Sequence, residues 1–506
     1  MIVGGGPNGL LTACELAQAG VDTLVLERLA EPATAPKANG LVGRVVQALD
    51  YRGLYERISG GDRPPVPVPY FSFGALTLDL SDLDGHALYA QPIPQRRLEE
   101  LLAERAGELG VEVRRGHEMT ALNQDGDAVT LDVRGPGGDY RIVAAYAVGA
   151  DGGQSPVRKA VGIGFPGFTD DGFVSRSGQI VIHAPVATGE HGDLDIPGPV
   201  GRIRQGSFTR TETGCFGYAM VAPGLYRVGV HEWGRDPVVD RDEVSFADLR
   251  DAVNRVLGAD LPMSEPPGGQ GLVRGSVNSR LAGRYREGRV FLVGDAAHVQ
   301  SGVGGPGLNL GLQDALNLGW KLAAAVAGHA PGHLLDTYES ERRPVGERVI
   351  THSRAQTALL SPGQNITALR QIMGELLTDR HATRFLSDLL SGADTRYDMR
   401  GEGPTHPWTG RWMPDLELDG TRVAVLMRAG RPLLLDLAGR ADLVKAAAPW
   451  STQVVSVSGV DGADVSDVDG PDAVLVRPDG YVAWAAAPGE GADGLLSALR
   501  TWFWPR

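Results

Sequence analysis

Three glycines near the start of the 506-residue chain have the spacing of a turn that binds phosphate. They are Gly4, Gly6 and Gly9, and an acidic residue, Glu27, ends the next strand-like segment. Such a turn needs one glycine for a tight bend, a second for close approach of the backbone to a pyrophosphate, and a third for close packing of the following helix. That helix offers free N–H groups to the phosphates, and the acid is placed to accept hydrogen bonds from a ribose. The motif predicts a dinucleotide site.

The segments around this turn decide its meaning, because the same glycine spacing recurs at residues 162–167 and 302–307. In a chain with 70 glycines, repeats of such a short pattern are expected by chance. Only the first copy has a strand-like segment directly before it, a helical segment directly after it and an acid at the end of the next strand. These flanking elements make the dinucleotide prediction specific.

The composition narrows the class of protein. The length allows about two to four domains, and the net charge of −14 argues against nucleic acid or an anionic membrane as a partner. No apolar run approaches the roughly 18 residues of a membrane span, and no export signal is visible. Two cysteines, Cys14 and Cys215, and scattered histidines offer no metal-ligand spacing, so we predict no metal site. We expect a soluble, cytoplasmic monomer or homodimer.

Two further acid–glycine turns follow along the chain. The first contains Asp151, and the second contains Asp295 after an apolar strand at 289–293. A glycine-rich loop comes next, and then we expect a long helix from about Gly307 to Ala327. Because open α/β folds bind ligands at the carboxyl ends of their strands, this arrangement brings Asp295 to the dinucleotide site.

Other segments predict antiparallel sheet. The segments 129–133 and 140–148 alternate like strands, so we expect a hairpin that ends on the Asp151 turn. The segments 174–183 and 216–233 also alternate, with a Pro-Gly turn inside the second. They predict a sheet inserted between two halves of the nucleotide domain.

The tail of the chain has a separate α/β signature. The apolar runs that predict its strands begin at residues 423, 432, 454, 473 and 481. The predicted domains are 1–164 with 276–345 for the nucleotide domain, 165–275 for the middle sheet, 346–404 for a helical segment and linker, and 405–506 for the terminal domain.

The glycine turn with Glu27, the Asp151 turn and the Asp295–His298 turn, which is followed by Gly304, Gly305, Leu308 and Asn309, occur in one order. Together they resemble the FAD-dependent aromatic hydroxylases, the single-component flavoprotein monooxygenases of the p-hydroxybenzoate hydroxylase fold. The tail is similar to the thioredoxin-like third domain of hydroxylases acting on phenols, aromatic polyketides and rifamycins. The resemblance implies an α/β fold with a Rossmann-like FAD-binding domain, an inserted antiparallel-sheet substrate domain and a C-terminal thioredoxin-like domain. That tail has no cysteine, which excludes a dithiol redox role.

By this resemblance the dinucleotide is FAD, and NADPH or NADH is the co-substrate. The residues implied to contact FAD are Gly4, Gly6, Pro7, Asn8, Gly9, Glu27, Arg28, Arg44, Gln95, Met119, Asp295, Gly305, Gly307, Leu308 and Asn309. Leu308 and Asn309 lie where N–H groups of a helix N-terminus would stabilise negative charge on reduced flavin. Arg44 is either a solvated cation or a contact to phosphate or nicotinamide; for Lys37 we favour solvent. Asp151 is expected to brace the structure.

The resemblance also implies hydroxylation of an electron-rich ring by a flavin C4a-hydroperoxide, formed with O2 after reduction by NADPH or NADH. The implied substrate is a small aromatic molecule, a polycyclic polyketide-type phenol. The residues expected to line its site are Phe216, Tyr218, Met220, His231, Trp233, Ser301, Gly302 and Val303. Strand residues alternate between faces, so half of the strand candidates are expected to face the core. His231, which could deprotonate a phenol, and Arg44 are the candidates for a catalytic role, and His298 is expected to brace its loop.

The loop after His298 departs from the family. Ser301 and Gly302 stand where the family usually has two prolines, and Pro306 interrupts its Gly-Gly-Gln-Gly run. The replacement loosens and widens the wall closest to the oxygen-bearing flavin carbon. It is expected either to admit a bulkier substrate or to alter what the peroxide attacks.

Four other functions are alternatives to hydroxylation, and each makes a different demand on the chain. Baeyer–Villiger oxygenation of a polyketide ketone would use the same fold, and only product analysis separates the two. A flavin-dependent halogenase would need a W-x-W-x-I-P motif, but the W-x-W of this chain is at its end, in Trp502–Trp504. A disulfide reductase would need a redox cysteine pair. A non-catalytic FAD-binding protein would keep its flavin oxidised when NAD(P)H is added without air.

Overall fold

The computed structural model describes residues 1–32, 38–183, 187–188, 192–196, 198, 200–234, 245–267, 272–399, 405–458 and 470–504. Lys37 lies outside the described residues. Strands and helices alternate along the first part of the chain, which confirms the mixed α/β class. None of the helices in the described residues is both long and apolar enough to cross a lipid bilayer.

A mostly parallel sheet forms around the first strand. Its order across the sheet is Arg286–Glu287, Val290–Leu292, Ala147–Gly149, Ile2–Val3, Leu24–Glu27 and Glu112–Arg115. All neighbours are parallel except the Arg286–Glu287 edge. The helices Pro7–Gln18, Gln95–Glu108 and Pro306–Val326 pack together on it. The acid–glycine turns therefore emerge at one edge, the carboxyl ends of the parallel strands.

The predicted hairpin forms, but its second strand was predicted too long. Val129–Gly135 pairs with Gly138–Ala144 and with Glu118–Gln124. The remainder of the predicted strand, Ala147–Gly149, joins the parallel sheet instead. Gly138–Ala144 alternates between half-buried and exposed residues, whereas Ala147–Gly149 is buried throughout. A strand covered on both faces loses the alternation, so the two segments belong to different sheets.

The middle of the chain folds into an antiparallel sheet. Its order is Phe208–Arg210, Gly214–Ala222, Leu225–Trp233, Gly167–Ile182, Val273–Leu281 and His298–Val299, and Met263–Ser264 also pairs with Gly167–Ile182. The helix Phe246–Leu257 covers one face of it, and a small sheet of Ala187–Thr188, Leu194–Ile196 and Gly201–Ile203 lies nearby. Because His298–Val299 follows the Asp295 turn directly, that turn connects the two large sheets.

Short elements complete the first part of the chain. Gly40–Val42 pairs with Ala90–Pro92 in a two-stranded antiparallel sheet, and Tyr70–Phe73 forms a hairpin with Leu76–Asp79. The short helices are Val45–Asp50, Tyr55–Ser59 and Pro156–Ala160. Three longer helices, Asp336–Leu360, Gln364–Leu376 and Arg380–Ser391, then lead to the tail.

The tail contains a four-stranded sheet in the order Val455–Ser458, Leu433–Asp436, Ala473–Val476 and Val482–Ala485. The helices Ala441–Ala446 and Asp493–Trp502 and the hairpin Glu417–Leu418 with Thr421–Arg422 accompany it. The prediction of a strand at residues 423–426 is wrong, because Val423–Leu426 is a helix. Asp415 accepts the N–H of Ala424 at 2.9 Å and so caps the helix start. A short apolar run fits a strand or a buried helix, and here a distant cap decides.

One apolar core joins the tail to the helices of the parallel sheet. Inside it lies a group of buried polar side chains, Arg477, Asp479, Glu341, Lys321 and Asn317, which we call the buried ionic cluster. Arg477 donates to both oxygens of Glu341 at 2.7 and 2.8 Å, and Lys321 donates to Glu341 at 2.7 Å. Asn317 donates to Asp479 at 3.0 Å. Burial opposes the ionisation of Glu341, but Arg477 and Lys321 hold its pKa at about 2.

We predict that Arg477→Met destabilises the protein by about 3–5 kcal/mol, because it leaves Glu341 and Asp479 with one buried cation between them. Urea unfolding followed by tryptophan fluorescence measures the effect. Arg500→Met, at an exposed position of the same tail, is the matched control and should unfold like the wild type. Equal midpoints for the two variants would show that the buried ionic cluster contributes nothing net.

Candidate functional site

A cavity of about 970 Å³ lies where the two large sheets meet. One end is formed by the glycine turn at the carboxyl edge of the parallel sheet, and another wall is the middle sheet. The Asp295 turn and the start of the helix Pro306–Val326 lie between them. The cavity is therefore continuous from the predicted dinucleotide site to the predicted substrate site.

The glycines of the first turn are required for different reasons. Gly4 has φ of +112°, and a Cβ there would overlap the carbonyl oxygen of Ala150. A Cβ at Gly9 would overlap the carbonyl oxygen of Gly4, so Gly9 allows the helix to pack on the turn. A Cβ at Gly6 would meet nothing within 4 Å. Gly6 thus faces open space in the cavity, where backbone can approach a ligand.

Glu27 organises the turn as well as lining the cavity. Its carboxylate accepts the N–H groups of Gly5 at 2.7 Å and Leu29 at 2.9 Å. The carboxylate is therefore fixed in direction by two backbone donors, and Arg28 lies beside it in the cavity lining.

Twelve of the fifteen residues predicted to contact the dinucleotide line the cavity. They are Gly4, Gly6, Pro7, Asn8, Glu27, Arg28, Gln95, Met119, Asp295, Gly305, Gly307 and Leu308. Gly9, Arg44 and Asn309 lie outside the lining. Gly9 is a packing residue, as its overlap with Gly4 requires.

Arg44 does not face the cavity, contrary to expectation. Its guanidinium donates to Gln47 at 3.0 Å and lies 5.9 Å from the ring centre of Trp412. Arg44 is half-buried, and burial lowers the pKa of its guanidinium. Trp412 comes from the tail, so Arg44 lies where the tail meets the first part of the chain.

Asn309 braces the loop rather than lining the cavity. Its amide oxygen accepts the N–H of Val42 at 3.0 Å, and its amide nitrogen donates to the carbonyl of Gly305 at 2.6 Å. Gly307 and Leu308, which directly precede Asn309, do line the cavity. Because the helix begins at Pro306, their N–H groups lack partners within the helix and leave a positive dipole end at the cavity.

His298 is a buried bracing residue. Its Nε2 lies 2.6 Å from one carboxylate oxygen of Asp314, whose other oxygen accepts from Arg342 at 2.8 Å. Burial opposes ionisation of Asp314, but Arg342 and His298 hold its pKa below the usual range. Asp314 also accepts the N–H of Gly294 at 3.2 Å, so this group fixes the Asp295 turn. Asp151 braces in the same way, accepting from Ser155 and Val157.

Several predicted substrate residues lie on the wrong face of the middle sheet. Gly217 and Ala219 face the cavity, whereas Phe216 is buried in the opposite core and Met220 is 46 % exposed. Tyr218 touches the cavity lining, but its ring packs in that core with its hydroxyl 2.7 Å from the carbonyl oxygen of Gly192. The sequence predicts that residues alternate between the two faces along this strand. Which of them face the cavity depends on how the strand pairs with other strands.

On the next strand, Arg227, Gly229 and His231 line the cavity. His231 stacks on Phe173 with ring centres 5.1 Å apart, and its Nδ1 has no hydrogen-bond partner in the described residues. Burial lowers the pKa of His231 to about 4, so the imidazole is neutral near pH 7. Trp233, expected beside it, stacks on Phe173 at 4.7 Å outside the lining.

Arg227 is the functional candidate that sequence reasoning missed. One of its nitrogens donates to Ser177 at 3.3 Å, and another, Nη1, is buried without a hydrogen-bond partner among the described residues. Burial lowers the pKa of this guanidinium. Its signal was present, since Arg227 and His231 are an even number of residues apart and share a strand face. The site thus has one cationic donor and one neutral imidazole on the same wall.

The loop residues predicted on the substrate side, Ser301, Gly302 and Val303, all line the cavity. The carbonyl of Ser301 accepts from Ser353 at 3.2 Å, and a Cβ at Gly302 would meet nothing within 4 Å. The position that departs from the family pattern therefore borders open space.

Comparisons with known proteins cover the whole chain. Residues 1–353 match the model of an FAD binding domain, and residues 406–505 match that of an aromatic-ring hydroxylase C-terminal domain. The chain is 45 % identical to 12-dehydrotetracycline 5-monooxygenase/anhydrotetracycline 6-monooxygenase of Streptomyces rimosus subsp. rimosus, over 100 % of this chain and 98 % of the relative. It is 39 % identical to a rifampicin monooxygenase of Streptomyces venezuelae, over 99 % and 98 %. The solved structure of the OxyS anhydrotetracycline hydroxylase from Streptomyces rimosus superposes with a TM-score of 0.86 at 43 % identity, over 100 % and 98 %.

We predict that His231 makes the protein less stable as the pH falls from about 6.5 to 4. The unfolded chain takes up a proton at this histidine near pH 6.5, whereas burial keeps it neutral in the folded protein down to about pH 4. In this window the free energy of unfolding falls by up to about 1.4 kcal/mol per pH unit. The urea midpoints at pH 7 and pH 5 should differ less for His231→Phe than for the wild type. His381→Phe, at an exposed position, should follow the wild type, and equal pH dependence in all three proteins would contradict the prediction.

Proposed function

We propose, from the premise that this chain belongs to the FAD-dependent aromatic-ring hydroxylases, that it uses NADPH or NADH and O2 to hydroxylate a polycyclic phenolic polyketide. The chain is an FAD-dependent monooxygenase of that family. One observation carries the choice of substrate: the glycine turn, the loop 301–305 and a wall with Arg227 and His231 share one cavity of about 970 Å³. A space of this size accommodates a dinucleotide end and a multi-ring molecule side by side.

The residues at the glycine end fit FAD. Gly6 leaves backbone open for a pyrophosphate, and the side-chain oxygen of Asn8, which also lines this end, is buried without a partner in the described residues. Glu27 and Arg28 would lie at the adenosine ribose, and Asp295 would accept hydrogen bonds from the ribityl chain. These assignments rest on placement in one lining and on the chemistry of each donor.

The helix start would face the flavin pyrimidine. Gly307 and Leu308 line the cavity in the first turn of a helix of 21 residues, so this helix start offers N–H donors and a positive dipole end. Negative charge on a reduced ring is stabilised there. When bound, FAD supplies the activation of O2 and the transfer of one oxygen atom to the substrate.

The side chains of the protein would hold the substrate and exclude water from it. Arg227 has a free donor in a buried position, and a cation there would stabilise an ionised ring oxygen, which makes the ring electron-rich. His231 is neutral at pH 7. Its Nδ1 would form a hydrogen bond with a second ring hydroxyl of the substrate, or hold the proton of that hydroxyl. NADPH or NADH would serve as the reductant.

The assay for this function is oxidation of NADPH or NADH by the purified yellow holoenzyme. We expect either nucleotide to bleach the flavin without air, and polycyclic phenols such as anhydrotetracycline to stimulate oxidation in air and gain one oxygen atom. Arg227→Met should raise the KM for phenols about 10- to 100-fold with unchanged FAD content, because a hydrogen bond to a charged group is lost. Arg204→Met, exposed on the same domain, should behave like the wild type.

If neither NADPH nor NADH bleaches the flavin, the proposal is rejected in favour of non-catalytic FAD binding. Mass spectrometry and NMR of the product distinguish a new ring hydroxyl from the inserted ester oxygen of a Baeyer–Villiger reaction. An unchanged KM for Arg227→Met would remove Arg227 from the substrate site.

The FAD site gives a second prediction. Gly6→Ala should fold normally, because its Cβ meets no atom of the described residues within 4 Å. It should bind FAD at least tenfold more weakly, because the methyl group occupies the space assigned to the pyrophosphate. Fluorescence quenching on titration of the apoprotein with FAD measures the dissociation constant. Gly107→Ala, another glycine with open space at Cβ but outside the cavity, is the matched control. FAD binding as tight in Gly6→Ala as in Gly107→Ala would contradict the placement.

A further inference from the structure

The cavity wall of the middle sheet contains a row of very small residues across three neighbouring strands. Gly217 pairs directly with Gly229, and Gly229 pairs directly with Ser177 on the next strand. All three line the cavity. Phe208 pairs with Gly217 on the other side and ends the row with an aromatic ring.

The backbone does not explain these two glycines. Neither Gly217 nor Gly229 has a φ in the left-handed region. Glycine in the interior of a strand weakens it, and it often marks a place where a ligand approaches the backbone closely. These two positions therefore lack side chains because of the space that a side chain would occupy.

The two glycines provide that space differently. A Cβ at Gly217 would lie 2.9 Å from the ring of Phe208, so Gly217 lets that ring lie across the strand. A Cβ at Gly229 would meet nothing within 4 Å. Any side chain at Gly229 would therefore project into the cavity.

Polar residues bound this bare strip of sheet along the strand. Arg227 and His231 stand two residues before and two residues after Gly229, on the same face. At a rise of about 3.3 Å per residue, their Cα atoms are about 13 Å apart, which is several times the width of one aromatic ring. Across the cavity lining, Gly302 also borders open space.

We propose that the bare backbone at Gly229 determines the ring number of the substrate. It lets a flat, multi-ring molecule lie against the strand, beside the ring of Phe208 that covers Gly217, with an ionised oxygen at Arg227 and a hydroxyl at His231. This inference rests on the proposed function and assigns its preference for fused rings to one position. A single-ring phenol reaches one polar end and gains little from the strip.

The test compares graded substitutions at Gly229 in the holoenzyme. Gly229→Ala adds one methyl group and Gly229→Val adds a branched side chain that suits a strand. Met220→Val is the matched control, because Met220 lies on the neighbouring strand, on the opposite face from Gly217, at an exposed position. The probes are phenol, 2-naphthol and 2,6-dihydroxyanthraquinone, and the readout is the dissociation constant from the change in flavin absorbance.

We expect the wild type and Met220→Val to bind the three-ring probe more tightly than phenol. Gly229→Val should weaken binding of the three-ring probe at least tenfold and of phenol less than twofold, with Gly229→Ala between. Equal losses for all probes, or no loss, would overturn the inference, as would a wild type that does not favour the larger probes. Gly229→Ala preserves the test if the valine variant fails to fold.

The outcome is separable from that of the proposed function. A wild type that binds the larger probes but never transfers oxygen to any phenol contradicts the hydroxylase assignment and leaves the binding comparison valid. If the wild type hydroxylates phenols but Gly229→Val keeps the same ring preference, only the role of Gly229 is contradicted.

Discussion

Buried ionised side chains fix the helix Pro306–Val326 between the cavity and the tail. One stripe of this helix carries Asp314, Asn317 and Lys321, all fully or almost fully buried. Each needs a partner of matching charge or hydrogen-bonding type, because an unpaired buried charge costs several kcal/mol. The partners come from the helix Asp336–Leu360, the tail and the Asp295 turn. These contacts tie the helix to three other segments of the chain, and its N-terminus lies at the cavity.

The cavity lies at the junction of two sheets with different covering. The parallel sheet contributes turns, whose backbone donors suit phosphates, and the antiparallel sheet contributes a face, whose side chains suit a flat apolar molecule. The strand His298–Val299 belongs to the second sheet but directly follows a turn of the first. The contact between Asp314 and His298 fixes this turn. It therefore helps to position both the dinucleotide side and the substrate side of the cavity.

Features that depend on local sequence were predictable, and those that depend on distant packing were not. The glycine turn, Asp295 and the start of the long helix follow from short motifs, and the structure brings them into one cavity. Arg44 was expected at the dinucleotide but lies beside Trp412, a residue far away in the sequence. The parity of residues 216–220 depends on strand register, which a single alternating segment does not fix. For the same reason Arg227 was not singled out, although its charge on a half-buried strand was visible.

The pairing of Lys321 and Glu341 with Arg477 and Asp479 also bears on how the polypeptide matures on the ribosome. The first two residues are translated well before the last two, and N-terminal segments generally begin to fold first. Until the tail emerges, Glu341 lacks its main counter-ion, and the apolar surface around Trp320 has nothing to cover it. The buried ionic cluster and the apolar core around it are therefore completed only by a segment translated more than a hundred codons later.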